Sequence, residues 1–488
     1  MALGVYSQKI NKALYFSFPM HYNQYTIMNK GVATAMSELN RKAFYRSFLV
    51  IILPIALQQL ISTAVGVADT LMLTFVSQTA LAATSLAGQI QFLLNMIYYG
   101  ISAGITMLTA QYWGKGDSSS IETILSICLK ISILVSCIFF VGAFFFPQLL
   151  MRIFTNDPAM IEAGSEYLVV IGFSYLFMGL SQPYLSALKS IERVRESTLI
   201  NCSALALNIL LNAVFIFGWI PGIPPLGIFG VALATVIARA IELILCIAIG
   251  ERLKLLRLRP RLFTLHSKIL LRDFIHYSLP ALGNDIAWSL AFSMYSVIMG
   301  HLGEDLVAAN SIVSTMRNLV SVLGFGIANG TTIILGKIIG SGDMKLAEST
   351  AKKLLRLTLY AGLLGSAVVL CFHPIVGNIS TLTEQAAEYL HTMLWISAAY
   401  IPGPLLNTCL ICGIFRSGGD SRFGFFCDII DMWCVFVPIG FILAFFFKLP
   451  PMVVYIFLSF DEYAKMPFIL RHYFKKSWLR NITKDISA

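Results

Sequence analysis

Charge is what this chain has least of. Asp, Glu, Lys and Arg make up only 12% of its 488 residues, while 57% are hydrophobic; a soluble domain carries roughly 25% charged residues. That shortage excludes a water-soluble fold. The nine cysteines are odd in number and fall in apolar stretches (Cys128, Cys202, Cys246, Cys371), where they act as small hydrophobes rather than a disulfide framework. Cys409-x-x-Cys412 has metal-like spacing but no second pair or histidine beside it, so no transition-metal site is expected. A Gly-Lys-Ser/Thr phosphate loop is missing, which argues against ATP as the energy source. The apolar runs hold no His/Asp/Ser constellation, which argues against an enzyme. Residues 1–40 have no apolar core followed by a small-residue cleavage site and are not a secretory signal; we expect a cytoplasmic tail there.

Long apolar runs are what the chain has instead. A bilayer core about 30 Å thick needs about 20 apolar helical residues, and such windows follow one another at 47–74, 84–110, 121–146, 162–188, 197–219, 225–250, 271–300, 309–338, 353–376, 385–414, 423–447 and 451–474. The expectation is an all-α polytopic membrane protein of twelve transmembrane helices. Alternate loops sort by charge. Arg41, Lys42 and Arg46, Lys115, Lys189 with Arg193 and Arg195, the segment 252–272, Lys337 to Lys353, Arg416 with Arg422, and the basic end from Arg471 to Arg480 share one side. The opposite loops (76–80, 147–161, 218–227, 301–305, 372–384, 448–450) carry Arg152 and Lys448. The positive-inside rule then puts both termini in the cytoplasm of a cell inner (plasma) membrane protein. The net charge of +10 is explained by topology, and a nucleic-acid partner is not implied.

Sliding the chain on itself by 226 residues, from Pro54 to Pro280, aligns Leu53 with Leu279, Ser85 with Ser311, Gly100 with Gly326, Gly104 with Gly330, and Gly114-x-Gly116-Asp117 with Gly340-x-Gly342-Asp343. Two copies of one six-helix unit follow. An even number of spans inserts both copies the same way up, which makes parallel lobes related by an axis along the membrane normal. We place the N-terminal lobe at 41–250, a cytoplasmic linker at 251–272, the C-terminal lobe at 273–475 and a cytoplasmic tail at 476–488. Two such bundles facing each other enclose a cavity that rocking exposes to each side in turn, the physics of a secondary transporter. Pro54 and Pro280, early in the first helix of each copy, each remove a backbone hydrogen bond and are the candidate bending points.

Carboxylates within the spans are the sharpest chemical signal, since each costs at least about 2.5 kcal/mol to insert unpaired. Asp69 lies deep in helix 1 among Val65, Gly66, Val67 and Ala68. It is read as a proton- or sodium-binding group, with a structural hydrogen bond to a neighbouring helix as the alternative. Asn208 and Asn212 stand one turn apart on helix 5, so their amides can meet one ion or one carboxyl group. In the second copy Asp285 follows Pro280 by a turn with Asn284 beside it, and Asp428 and Asp431 open helix 11. Oxygen ligands from several helices suit Na⁺, and a carboxyl that can hold its proton suits H⁺. Arg239 with Glu242, and Asp461 with Lys465, have the spacing of pairs within a helix. Lys130 is placed to snorkel to the cytoplasmic surface, and Arg317 to pair with one of the acids. Gln59, Tyr98, Tyr175, Trp288, Tyr295 and Tyr400 are candidates for the wall of a substrate cavity, where aromatic faces attract organic cations.

These residues together resemble the multidrug and toxic compound extrusion (MATE) family of the MOP superfamily. The resemblance rests on Pro54 through Ala68-Asp69-Thr70, Ala110-Gln111-Tyr112-Trp113-Gly114-Lys115-Gly116-Asp117, Asn208-x3-Asn212, Leu226-Gly227-Ile228-x-Gly230, Leu279-Pro280 with Asn284-Asp285, and Phe415-Arg416-Ser417-Gly418-Gly419-Asp420. It implies a monomeric antiporter, free of cofactors, that expels amphipathic and often cationic small molecules into or across a lipid membrane against Na⁺ or H⁺ inflow. It also implies coupling roles for Asp69, Asn208, Asn212 and Asp285, and for Asp420 or Asp428. Asn212 stands where many relatives have Asp, which removes one proton acceptor. The competing reading is a lipid-linked oligosaccharide flippase of related architecture, which would want several basic groups in its cavity; only Lys130 and Arg317 are candidates for that.

Overall fold

The computed structural model describes residues 41–218, 225–376 and 382–485. The chain divides into a unit Met1–Phe44 and a unit Tyr45–Ala488. The first is described only at 41–44, which open a helix, and the tail expected at 1–40 lies outside the described residues.

Among the described residues twelve long helical segments follow in order: α1 (Arg41–Thr74), α2 (Gln78–Lys115), α3 (Ser118–Phe145), α4 (Pro158–Ser190), α5 (Val194–Phe217), α6 (Gly227–Leu253), α7 (Lys268–Gly300), α8 (Glu304–Gly340), α9 (Met344–Val376), α10 (Glu384–Phe415), α11 (Ser421–Phe446) and α12 (Pro451–Leu458 continuing as Asp461–Phe474). Short helices Pro147–Arg152 and Pro260–Thr264 lie between α3 and α4 and between α6 and α7. Among the described residues there is no strand, and ten helices are long and apolar enough to span a bilayer. The other two are α7, which carries Arg272, Asp273 and Asp285, and α12, whose helix is interrupted after Leu458 and then holds Asp461, Glu462 and Lys465. Asp273 of α7 and Asp461, Glu462 and Lys465 of α12 are buried, so both helices carry charged groups into the protein interior. The fold is the expected all-α polytopic one. Pro54 and Pro280 lie inside α1 and α7. Segments of α10 and α11 wind as π-helix, at Cys409–Phe415, Ile429–Phe436 and Ile442–Phe446. Apolar periodicity did not signal that widening.

The repeated Gly-Asp motif has a local cause. Gly116 closes α2 in the left-handed region (φ 81°) and Asp117 caps α3, its Oδ1 accepting from the Ser120 amide at 3.0 Å. Gly342 (φ 87°) and Asp343, which accepts from the Leu346 amide at 2.9 Å, repeat the arrangement before α9. The glycine takes the conformation that a side chain disfavours, and the aspartate satisfies an open helix N-terminus.

One hydrophobic core runs through α2, α3, α4, α5 and α6 with Leu94, Leu125, Ile171, Tyr175 and Leu188 at its centre, and a second runs through α7 to α12 around Ala291, Leu306, Met393 and Val454. Between the bundles, α2 packs on α7 and α8. The closest backbone crossing pairs repeat-related positions: a methyl group on Gly114 would collide with the Lys337 carbonyl, and one on Gly340 with the Gln111 carbonyl. The hydrogen bonds shared by the bundles gather at this same end. Lys337 Nζ reaches Glu192 at 2.7 Å, and Gln111 Nε2 donates to the Ser417 carbonyl at 2.7 Å.

Candidate functional site

In the N-terminal bundle the structure brings Asp69, Asn208 and Asn212 together. Asn212 Nδ2 donates to Asp69 Oδ1 at 2.7 Å and lies 3.5 Å from Asn208 Oδ1, while Asn208 Nδ2 donates to Thr235 Oγ1 of α6 at 3.1 Å. Helical spacing puts both asparagines on the stripe of α5 that faces inward, and α1 supplies the acid. Asn212 is fully buried and its Oδ1 has no hydrogen-bond partner. A buried carbonyl-type oxygen left open beside a carboxylate is a feature that a cation, a proton carrier or water satisfies. Thr235 ends the stretch 226–235 that contributes to the family resemblance, but its position alone implies no coupling role, because one threonine in an apolar helix carries no signal of its own.

A second polar cluster lies one to two helical turns away. Glu242 is fully buried; it pairs with Arg239 at 2.7 Å and accepts from Ser181 Oγ at 2.5 Å and Gln182 Nε2 at 3.1 Å. The pairing within α6 is as the spacing predicts, and the ligands from α4 make it a pin between helices.

The C-terminal bundle holds a denser network than the sequence suggested. Asp285 pairs with Arg416 at 2.6 Å, and Arg416 also donates to Asn284 Oδ1 at 3.0 Å. Asp428 accepts from Asn284 Nδ2 at 2.6 Å and from Lys465 Nζ at 2.8 Å, and Lys465 reaches Glu462 at 3.1 Å. Asn407 Nδ2 donates to Glu462 Oε2 at 2.8 Å. Asp431, one turn beyond Asp428, keeps Oδ2 buried without a partner.

Three placements differ from expectation. Lys465 turns to Asp428 of α11 and Glu462 rather than to Asp461, because Asp461 opens the second half of α12 and is taken up by the Glu462 amide at 2.7 Å and the Tyr295 hydroxyl at 3.2 Å. Arg317 does not serve an acid: it donates to Ser397 Oγ at 3.0 Å and Tyr455 OH at 2.7 Å and lies 4.4 Å from the Tyr400 ring centre, where neutral oxygens and aromatic faces solvate it. Arg416, counted among the topological charges, reaches into the bundle instead. Asp420 lies in the turn before α11 and pairs with His472 at 2.7 Å, away from the other acids.

The candidate wall residues are scattered. Tyr98 and Tyr175 are buried in the N-terminal core, Tyr98 bonded to Ser136 at 2.5 Å. Tyr295 and Tyr400 are buried in the other bundle, and Trp288 is half-buried, tilted against Phe292 and within 3.4 Å of Glu462 Oε1. Gln59 is half-buried on α1, its carbonyl accepting from Thr63. Lys130 donates to the Leu265 carbonyl of the segment before α7 at 2.6 Å, the snorkelling expected of it.

Two spanning helical bundles of repeated design, each with carboxylates held by amide and basic side chains, define a polytopic membrane transporter rather than an enzyme. The chain belongs to the MatE family, whose sequence model matches residues 54–214 and 280–459. It is 23% identical over 449 residues to the uncharacterized transporter YisQ of Bacillus subtilis (strain 168), covering 92% of this chain and 98% of that one. It is 26% identical over 438 residues to the probable multidrug resistance protein NorM of Rhizobium meliloti (strain 1021), covering 86% and 90%. The fold matches a MATE crystal structure in the bent conformation with a TM-score of 0.80 at 17% identity, over 89% of this chain and 96% of that one. It also matches the Vibrio cholerae MATE transporter VcmN in the bent form, with a TM-score of 0.79 at 15% identity over 90% and 99%.

Proposed function

We propose that this protein is a secondary antiporter of the inner membrane. In this reading it expels amphipathic, often cationic organic compounds against inflow of Na⁺ or H⁺, with both termini in the cytoplasm. The observation that carries the proposal is the Asp69–Asn212–Asn208–Thr235 cluster, in which a carboxylate inside a spanning bundle meets an amide with an open oxygen. Such a carboxylate changes its hydrogen-bond demand when it takes up a proton or a cation, and that change can bias the packing of α1 against its neighbours. The bundles meet backbone to backbone at the ends of α2 and α8, which supports alternating access with the lobes closed on the cytoplasmic side. The multidrug resistance names of relatives such as NorM support an organic substrate. A lipid-linked oligosaccharide flippase is not favoured, because Lys130 is engaged by the Leu265 carbonyl and Arg317 by Ser397 and Tyr455, while Arg416 and Lys465 are already neutralised by Asp285, Asp428 and Glu462.

The test is efflux of a fluorescent organic cation from proteoliposomes under an imposed Na⁺ gradient and, separately, a pH gradient. Transport driven by one of them and lost in Asp69→Asn is the expected result. Absence of transport under both gradients would overturn the proposal.

A further inference from the structure

The segment after α12 crosses the seam between the bundles, at the end where they are closed. Trp478 stacks on Tyr473 of α12, and its carbonyl packs so tightly on Gly418 that no side chain fits there. This anchors the segment to the C-terminal bundle. Beyond the anchor it binds α2 of the other bundle. Gln111, fully buried, uses both ends of its amide: Nε2 donates to the Arg480 carbonyl at 3.1 Å as well as to Ser417, and Oε1 accepts from the Ile482 amide at 2.8 Å. The Lys484 amide donates to Tyr112 OH at 3.1 Å, and Lys115 Nζ reaches the Lys484 carbonyl at 2.9 Å and Asp485 at 2.6 Å. The Lys115 ammonium holds the Asp485 carboxyl below its ordinary range. Lys484 Nζ also pairs with Asp273 of α7 at 2.6 Å. Ile482 is buried in the N-terminal core, with Gly419 and Tyr277 against it.

We propose that residues 478–485 form a clasp that stabilises the state closed at this end and must let go of α2 when the bundles part there. Gln111 is the hinge of the idea. Its backbone carbonyl faces Gly340 at the tightest backbone crossing, and its side chain holds the clasp. Opening therefore breaks the crossing and the clasp bonds together. A buried amide stripped of three partners at once has a real desolvation cost, and this makes the contact selective for one state. Between the Trp478 anchor and Ile482 the chain can span at most about 3.6 Å per residue, so it cannot follow a wide separation while keeping both attachments. The inference rests on the alternating-access reading above.

The experiment is a spin-label distance measurement in a cysteine-free background. The labels go at Ser119 and Lys345, exposed and repeat-related positions just beyond α2 and α8. The full chain is compared with a chain ending at Leu479 and with Gln111→Leu. Both variants should raise the ratio of the long-distance to the short-distance population by about tenfold, equivalent to about 1.4 kcal/mol. Gln111→Leu keeps the test open should the truncated chain fail to fold. An unchanged ratio in Gln111→Leu, with both populations present, would overturn the clasp alone. If the full chain and both variants show only the short distance, alternating access at this end falls, and the clasp with it.

Discussion

Asn212 is the residue on which the N-terminal site turns. Its Nδ2 is committed to Asp69 at 2.7 Å while its Oδ1 faces no donor, so the amide is half satisfied in a place where unsatisfied groups are costly. Replacing it with leucine removes the donor as well, and Asp69 then sits in the bundle without support. Gradient-driven efflux should fall by roughly tenfold or more in both Asn212→Leu and Asp69→Asn, because an intramembrane carboxylate without a partner costs about 2.5 kcal/mol or more. Normal insertion and yield are expected. Asn212→Asp should behave differently: two carboxyls that close share a proton, so efflux initial rates measured across a pH series should become more sharply pH-dependent than those of the parent chain. A flat, parent-like profile would argue against a proton-linked role for this pair. The trio Asp69, Asn208 and Asn212 was legible in the sequence because helical spacing and the cost of polar groups in lipid both act locally. Thr235, Arg416 and Asn407 were not, since their importance lies in which helix each one faces across the bundle.

At the scale of elements, α12 shows where reading along one helix stops working. Its i,i+4 spacing pointed Lys465 to Asp461. The helix is interrupted after Leu458, and Asp461, at the start of the second half, turns to its neighbour's amide and to Tyr295. Lys465 is left to bridge α12 to α11 through Asp428. Both side chains are almost wholly buried, so removing one partner strands a charge in the bundle. Lys465→Met should lower the unfolding free energy by about 3–5 kcal/mol, the range for breaking a buried pair. Adding Asp428→Asn should recover part of that loss, and a double-mutant cycle on detergent-solubilised protein measures the coupling. Near-additive losses would mean the pair does not join α11 to α12. The turn between α2 and α3 offers a smaller and cleaner case. Gly116→Ala should cost about 1–2 kcal/mol for the left-handed backbone, visible as a lowered melting temperature. Gly116→Asn should cost less.

For the molecule as a whole, the internal repeat that was readable in sequence has become a contact. Gly114 of α2 meets the Lys337 carbonyl and Gly340 of α8 meets the Gln111 carbonyl, so two equivalent notches, one from each copy, let the bundles close on each other at a shared axis. Any side chain at either notch strikes backbone, which cannot move aside the way a flexible side chain can. Gly340→Val and Gly114→Val should therefore disfavour the closed state in similar measure, cutting export by roughly tenfold or more if each costs at least the ~1–3 kcal/mol typical of overpacking. Each bundle should remain folded, because at either notch the clash falls on backbone of the opposite bundle. Gly88→Ala serves as the control: it lies in α2, and a methyl group there meets nothing within 4 Å. Export assays in proteoliposomes, paired with melting curves, distinguish the outcomes. Loss of export in both valine variants with intact melting places the fault in closure of the lobes. Full activity in either would mean that the crossing opens and closes by a path that does not bring these two glycines together, and alternating access at this end would need another contact surface.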